Sequence, residues 1–186
     1  TTAVKSSNIR LRFAIANTGG VSADNYQYLL EYSTSTSGPW TAVPVTPTTE
    51  HFEMTATTNY LDNDPTTAQL TATGTFAAGK CVEDPSNKTQ SYNLSGSYYT
   101  EFEYCLQATN YATDAGTYYF RLTNNGTGLN TYSVYATLVI GQYVGASTSA
   151  NVLRLGKDRH TFYDGTNYWA FYITDSFYVV YEKSTD

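Results

Sequence analysis

Few residues in this chain are of types and spacings that could do chemistry, and each has a structural reading beside the chemical one. Carboxylates recur close together at Glu50 and Glu53, Asp62 and Asp64, Glu83 and Asp84, and Glu101 and Glu103. A glycosidase needs two such groups about 5–10 Å apart across a cleft. Glu101 and Glu103, two apart, share one face of a strand, and their alternation with Phe102 and Tyr104 predicts an exposed polar face opposite a buried one. Asp62-Asn63-Asp64-Pro65 gathers the oxygens that Ca²⁺ takes from a turn, although an Asx-turn before a proline uses the same residues. Glu83-Asp84-Pro85 is a weaker version. His51 and His160 are far apart in sequence, have no nucleophile motif beside them, and read as structural. With no CxxC, zinc is not expected, and Gly141-Gln142-Tyr143-Val144-Gly145 lacks the Lys-Ser/Thr of a phosphate loop.

Cys81 and Cys105 allow one pairing. A disulfide there would add about 3.5 kcal/mol in the chain-entropy view; the alternative is two buried free thiols. Asn87-Lys88-Thr89, Asn93-Leu94-Ser95 and Asn125-Gly126-Thr127 are acceptor sequons for N-glycans.

The elements that must position these residues are set by composition and period. The chain has 186 residues, only 14% charged and 16% aromatic, with 19 Tyr. Hydroxyl-bearing and β-branched residues replace the charges, which suits pleated sheets and excludes long solvated helices. Net charge −6 argues against binding phosphate backbones or anionic lipid. There is neither an apolar run long enough for a spanning helix nor a signal-like opening, so Thr1 reads as the start of a mature or excised segment and membrane insertion is not expected.

Asn8 to Ala16 alternates apolar odd positions with Arg10 and Arg12, a half-buried strand. Further strands are predicted at 26–32, 40–43, 50–54, 69–76, 80–84, 99–109, 117–123 and 131–140, separated by turn residues. Residues 141–151 read as a small polar linker between a domain over 1–140 and an aromatic β meander over 152–186. In the meander, Asp164-Gly165-Thr166-Asn167 and Thr174-Asp175-Ser176 supply turns. So short a meander needs a partner surface, on the same chain or on another.

Asp114-Ala115-Gly116-Thr117-Tyr118 resembles the tyrosine corner of immunoglobulin-like domains, with Asp114, Gly116 and Tyr118 as its residues. Phe120 stands where antibody-type domains place their second cysteine. Leu30 to Ser33 and Ser37 to Val43 resemble the middle strands of fibronectin type III-like modules. The block from Arg10 to about Ile140 resembles a module of microbial extracellular surface proteins. The fold this implies is all-β, an antiparallel immunoglobulin-like β-sandwich followed by the meander. His160 to Tyr172 is loosely similar to the opening of a sialidase-like propeller blade, although Asp164 and Gly165 are adjacent where the Asp-box separates them.

The aromatic surplus has three readings. Trp40, Trp169, Tyr168 and Tyr172 stack on sugars if exposed on a flat face, form contacts between subunits if they lie at edges, or simply border the core. The function expected is non-enzymatic and structural, with no cofactor unless Ca²⁺ binds. It would be a subunit or module of a cell-surface filament, sheath or adhesin, in which Thr1–Ile15 or residues 152–183 complete a neighbour's sheet. The alternative is a carbohydrate-binding or adhesive module excised from a larger surface protein.

Overall fold

The computed structural model describes residues 2–141, 161–163, 167–173 and 179–185. Among these residues every regular element is a strand. In chain order they are β1 (Thr2–Ala3), β2 (Asn8–Asn17), β3 (Ala23–Tyr26), β4 (Tyr28–Ser33), β5 (Thr41–Ala42), β6 (Phe52–Met54), β7 (Thr75–Ala77) and β8 (Cys81–Val82). They continue as β9 (Tyr92–Leu94), β10 (Tyr98–Ala108), β11 (Thr117–Asn124), β12 (Thr127–Gly128), β13 (Ala136–Ile140), β14 (Thr161–Tyr163), β15 (Asn167–Ile173) and β16 (Val179–Thr185). The chain divides into two compact units, Thr1–Gly141 and Gln142–Asp186. Residues 142–151 of the expected linker, the run Val152 to Leu155, His160 and the centres of both predicted meander turns lie outside the described residues.

The first unit has two main sheets. One runs β1-β13-β11-β4-β5, with β12 against β11; the other runs β2-β10-β6, with β7 and β8 also against β10. Period-two alternation sends Leu30, Tyr32, Tyr118, Phe120 and Leu122 from the first sheet, and Phe52, Phe102, Tyr104 and Leu106 from the second, into one shared core. Rings meet across it, Tyr28 to Phe102 at 4.4 Å and Phe52 to Phe120 at 4.9 Å between centroids. This all-β, antiparallel-rich arrangement is compatible with a β-sandwich. The second unit holds an antiparallel sheet ordered β14-β15-β16.

Several boundaries differ from the predicted ones for identifiable reasons. The run 26–32 is broken at Gln27, whose N–H is taken by the Asn124 side chain, so β3 pairs with β9 while β4 pairs with β11. The last strand of the first unit starts at Ala136 rather than 131. The Tyr132 hydroxyl donates to the Leu122 carbonyl and accepts from the Leu129 N–H, which curls the preceding segment. Of the stretch 69–76 only Thr75 and Phe76 are strand, in β7, because the residues before them form a roof over β10.

The two sheets are also joined by polar contact. The Tyr104 hydroxyl on β10 donates to the Tyr28 carbonyl on β4 at 2.6 Å, deep in the core, and burial pushes its ionisation well above the ordinary phenol range. Tyr104→Phe should lower stability by about 1–2 kcal/mol, the worth of a buried hydrogen bond. Urea unfolding checks this, and an unchanged midpoint would show that this bond does not help hold the sheets together.

Candidate functional site and interaction surfaces

The carboxylates that could have been catalytic are bound into the structure. Glu101 has no exposed surface and Glu103 is 3% exposed. This corrects the expectation of an exposed polar face. Alternation identifies the face correctly but cannot reveal that residues 56–70 fold over it. Glu101 Oε1 accepts the N–H groups of Gln69 and Leu70, each at 2.8 Å, and Oε2 accepts Arg12 Nη1 at 2.9 Å. The Glu101 carbonyl takes the Thr66 hydroxyl at 2.6 Å. Glu103 receives both Arg10 and Arg12. Arg12 also holds the Thr67 carbonyl at 2.8 Å, and Arg10 lies 5.5 Å over the Tyr60 ring. Gly79 lets this roof approach closely, since a Cβ there would sit 1.9 Å from the Glu101 carbonyl oxygen.

The remaining carboxylates are engaged in the same way. Glu50 accepts the Tyr32 hydroxyl, Glu53 the Gln107 amide, Glu83 the Thr57 N–H and Asp84 the Thr46 N–H. Asp62 accepts the Glu83 N–H, the Ser86 hydroxyl and the Asn63 amide, while Asp64 accepts the Leu61 N–H. Asp62, Asn63 and Asp64 therefore organise a turn. Among the described residues no group of three or more His, Cys, Asp or Glu is placed to hold a metal ion. His51 packs its ring against Tyr118 and Tyr32.

Cys81 and Cys105 are buried and free, not bridged. Cys81 pairs in register with Glu103, so Cys105 lies diagonally across adjacent strands. Such diagonals run about 7–8 Å, longer than the usual reach of a disulfide. Burial first, and then the Glu103 charge, push the Cys81 thiol up to about 11. Burial also raises Cys105.

The residues of the tyrosine-corner motif come together. The Tyr118 hydroxyl accepts the Thr113 N–H at 2.9 Å, and a Cβ on Gly116 would meet the Thr113 carbonyl at 2.8 Å. Asp114 pairs with Lys5 at 2.6 Å.

Trp40 joins a cluster that the sequence reading missed. Arg121 on β11 makes a forked contact with buried Glu31 on β4, its Nε and Nη2 both reaching Oε2. Its guanidinium also lies 4.3 Å over Trp40. Tyr135 stacks on Trp40 at 5.3 Å and on Tyr132 at 5.6 Å. The signal available was Arg121 and Glu31, each at an outward-facing position of an otherwise apolar strand. Both Trp40 contacts are internal, so the ring is half-buried rather than a free flat face. Tyr168, 51% exposed, and half-buried Trp169 belong to the second unit. Tyr172 lies in β15, where its side chain is outside the described residues.

The sequons separate by accessibility. Asn87 uses its Nδ2 to hold the Val43 carbonyl at 2.9 Å. Asn93 and Asn125 are exposed and use only their Oδ1, toward the Asn25 N–H and Lys88 Nζ respectively.

The N-terminal segment, expected as one of two donors, is engaged within its own unit. Thr2–Ala3 pairs in parallel with Val139–Ile140, and β2 pairs with β10 from Asn8 to Asn17. Among the described residues no strand pairs with the far side of β2, which is ten residues long at the edge of its sheet. By contrast β1 and β5, the ends of the other main sheet, have two residues each. No family model, no curated protein and no solved structure matches this chain.

Two outcomes follow from the buried groups. Burial alone would raise the Glu101 carboxyl, but the bonds from Leu70, Arg12 and Gln69 outweigh it and hold the group below its ordinary 4.5. The stability it contributes is therefore complete above about pH 4.5 and is lost as pH falls below that. Glu101→Gln should weaken this acid limb in melting curves and cost about 3 kcal/mol at neutral pH by leaving Arg12 under-neutralised; an unaltered acid limb would contradict the assignment. Cys81 and Cys105 should resist a thiol reagent at pH 8 in the native protein and both react after denaturation. A mass two units low in non-reduced denatured protein would show a disulfide instead.

Proposed function

We propose that this chain is a non-enzymatic extracellular structural protein, a subunit or module of a cell-surface filament, sheath or adhesin assembled through β-strand contacts between copies. The observation that carries the reading is the ten-residue edge of β2, to which no described strand is paired on its far side, since a long regular edge is a template for another strand. An immunoglobulin-like plan accounts for the strand order: β11 between β13 and β4 with the corner tyrosine near its start, and β2-β10-β6 opposite. Low charge, 14% of residues, reduces repulsion between copies. Residues 152–183 are the remaining donor segment, because the N-terminal strands are already paired at home.

A second reading, a carbohydrate-binding or adhesive module, is favoured by one observation: Trp40, Tyr132 and Tyr135 form a stacked cluster that stays half-exposed. It predicts a monomer that binds glycans.

Electron microscopy of the purified chain over a concentration series, with and without Ca²⁺, tests the leading reading. Ordered assemblies are expected, and deletion of 152–186 should abolish them while leaving a folded core. Uniform monomers at every concentration would overturn it and move attention to glycan arrays with Trp40→Ala.

A further inference from the structure

The backbone bonds of β10 reveal which groups of β2 face outward. On its far side β10 engages odd-numbered residues: Glu103 N–H to the Lys80 carbonyl, the Cys105 carbonyl to Thr55 N–H, Thr109 N–H to the His51 carbonyl, and the Glu101 carbonyl to the Thr66 hydroxyl. Its even residues therefore turn to β2, where the register sets Phe102 against Phe13, Tyr104 against Leu11 and Thr100 against Ile15. On β2 the odd residues bond inward. The N–H and C=O groups of Asn8, Arg10, Arg12, Ala14 and Ala16 point to the free edge, and no backbone bond joins them to any other described element.

Edges of this length are normally guarded by charged side chains. Here Arg10 and Arg12 are drawn back across β10 by Glu103 and Glu101, and their heads leave the edge. Ile9, Phe13 and Ile15 pack on the core but remain only partly buried, so apolar surface continues to the rim.

We propose that a second copy of this chain covers the edge, its own β2 pairing antiparallel about a two-fold axis through Phe13. The proposal rests on the assembly reading above and assigns the β2 edge to a second β2, leaving residues 152–183 to donate at another surface. In this register Arg12 opposes Ala14 of the other copy and Arg10 opposes Ala16, each exchanging backbone hydrogen bonds at positions whose groups face outward. Leu11 opposes Ile15, and Phe13 opposes Phe13, on the inward apolar face. Centring on Arg12 would set Arg12 against itself, and centring on Leu11 would set Arg10 against Arg12, both disfavoured by like charge. Centring on Phe13 places every arginine beside an alanine while keeping nearly the whole strand in overlap. The sequence Leu11-Arg12-Phe13-Ala14-Ile15 is self-complementary in size and charge about its middle residue. The contact is isologous and closes on itself, so growth beyond a dimer needs a different surface.

Residue-resolved amide exchange on the wild-type chain across a concentration series tests this, read beside its mass by light scattering. As dimer forms, the amides of Arg10, Arg12, Ala14 and Ala16 should slow on the order of tenfold or more while those of Leu11, Phe13 and Ile15, already protected, change little. Assembly without that alternating protection would overturn this contact and leave the assembly reading standing. A monomer at all concentrations would overturn both. Ala14→Pro removes one outward donor and leaves the β10 ladder intact; it should abolish the dimer, and a folded variant that still dimerises would refute the register.

Discussion

The ion network between β10 and β2 is the constraint on which the outer half of the first unit depends. Glu101 and Glu103 are buried beside Arg10 and Arg12, and the four form a closed set of opposite charges. Burying carboxylates is costly unless their charge and lone pairs are met. Guanidinium forks and the backbone N–H groups of Gln69 and Leu70 meet them here. The same bonds fasten an otherwise irregular stretch onto the sheet, so neutralisation and loop order are one event. Without the arginines the roof would lose its anchors; without the roof, Glu101 would lose two of its donors.

That network also draws both arginines away from an edge that pairs with no other described strand. A charge protects an edge only while its head stays near the rim in water. Opposite charges on the adjacent strand pull these heads away, and internal stability is gained where solubility would ordinarily be guarded. The Glu31–Arg121–Trp40 group follows similar logic on the other sheet. There the cation is held by one buried carboxylate and covered by aromatic rings. In both places a polar pair on the outside of a sheet organises a non-strand segment above it.

Much of this architecture was legible in the residues. Alternation around Arg10 and Arg12 defined β2, and that around Glu101 and Glu103 defined the long central strand and its two faces. The Tyr118 hydroxyl bond to the Thr113 N–H and the crowding at Gly116 fall within a segment that its resemblance to a tyrosine corner singles out. Period two cannot say what lies over a face, however, so the burial of Glu101 and Glu103 was hidden. Nor can it say that Gln27 would give its N–H to Asn124, 97 residues away, and split one run into two strands. The free state of Cys81 and Cys105 depended on a parallel register between β8 and β10. The Trp40 cluster depended on Tyr132 and Tyr135, which sit in a run whose apolar spacing resembles a strand but whose hydroxyl contacts bend it.

The pairing of β2 with β10 has a kinetic side. Arg10 and Glu103 are 93 residues apart in the chain, and the strands between them belong to both sheets. Most of the first unit must therefore be synthesised and brought together before this ladder can form. Folding dominated by such distant pairings falls in the millisecond-to-second class rather than the microsecond class. During that interval β10 stands without its longest partner and its tyrosine-rich flanks are uncovered. A protein made in many copies would feel this as crowding among half-folded chains, and the time taken to seat one strand would limit how quickly sound subunits accumulate.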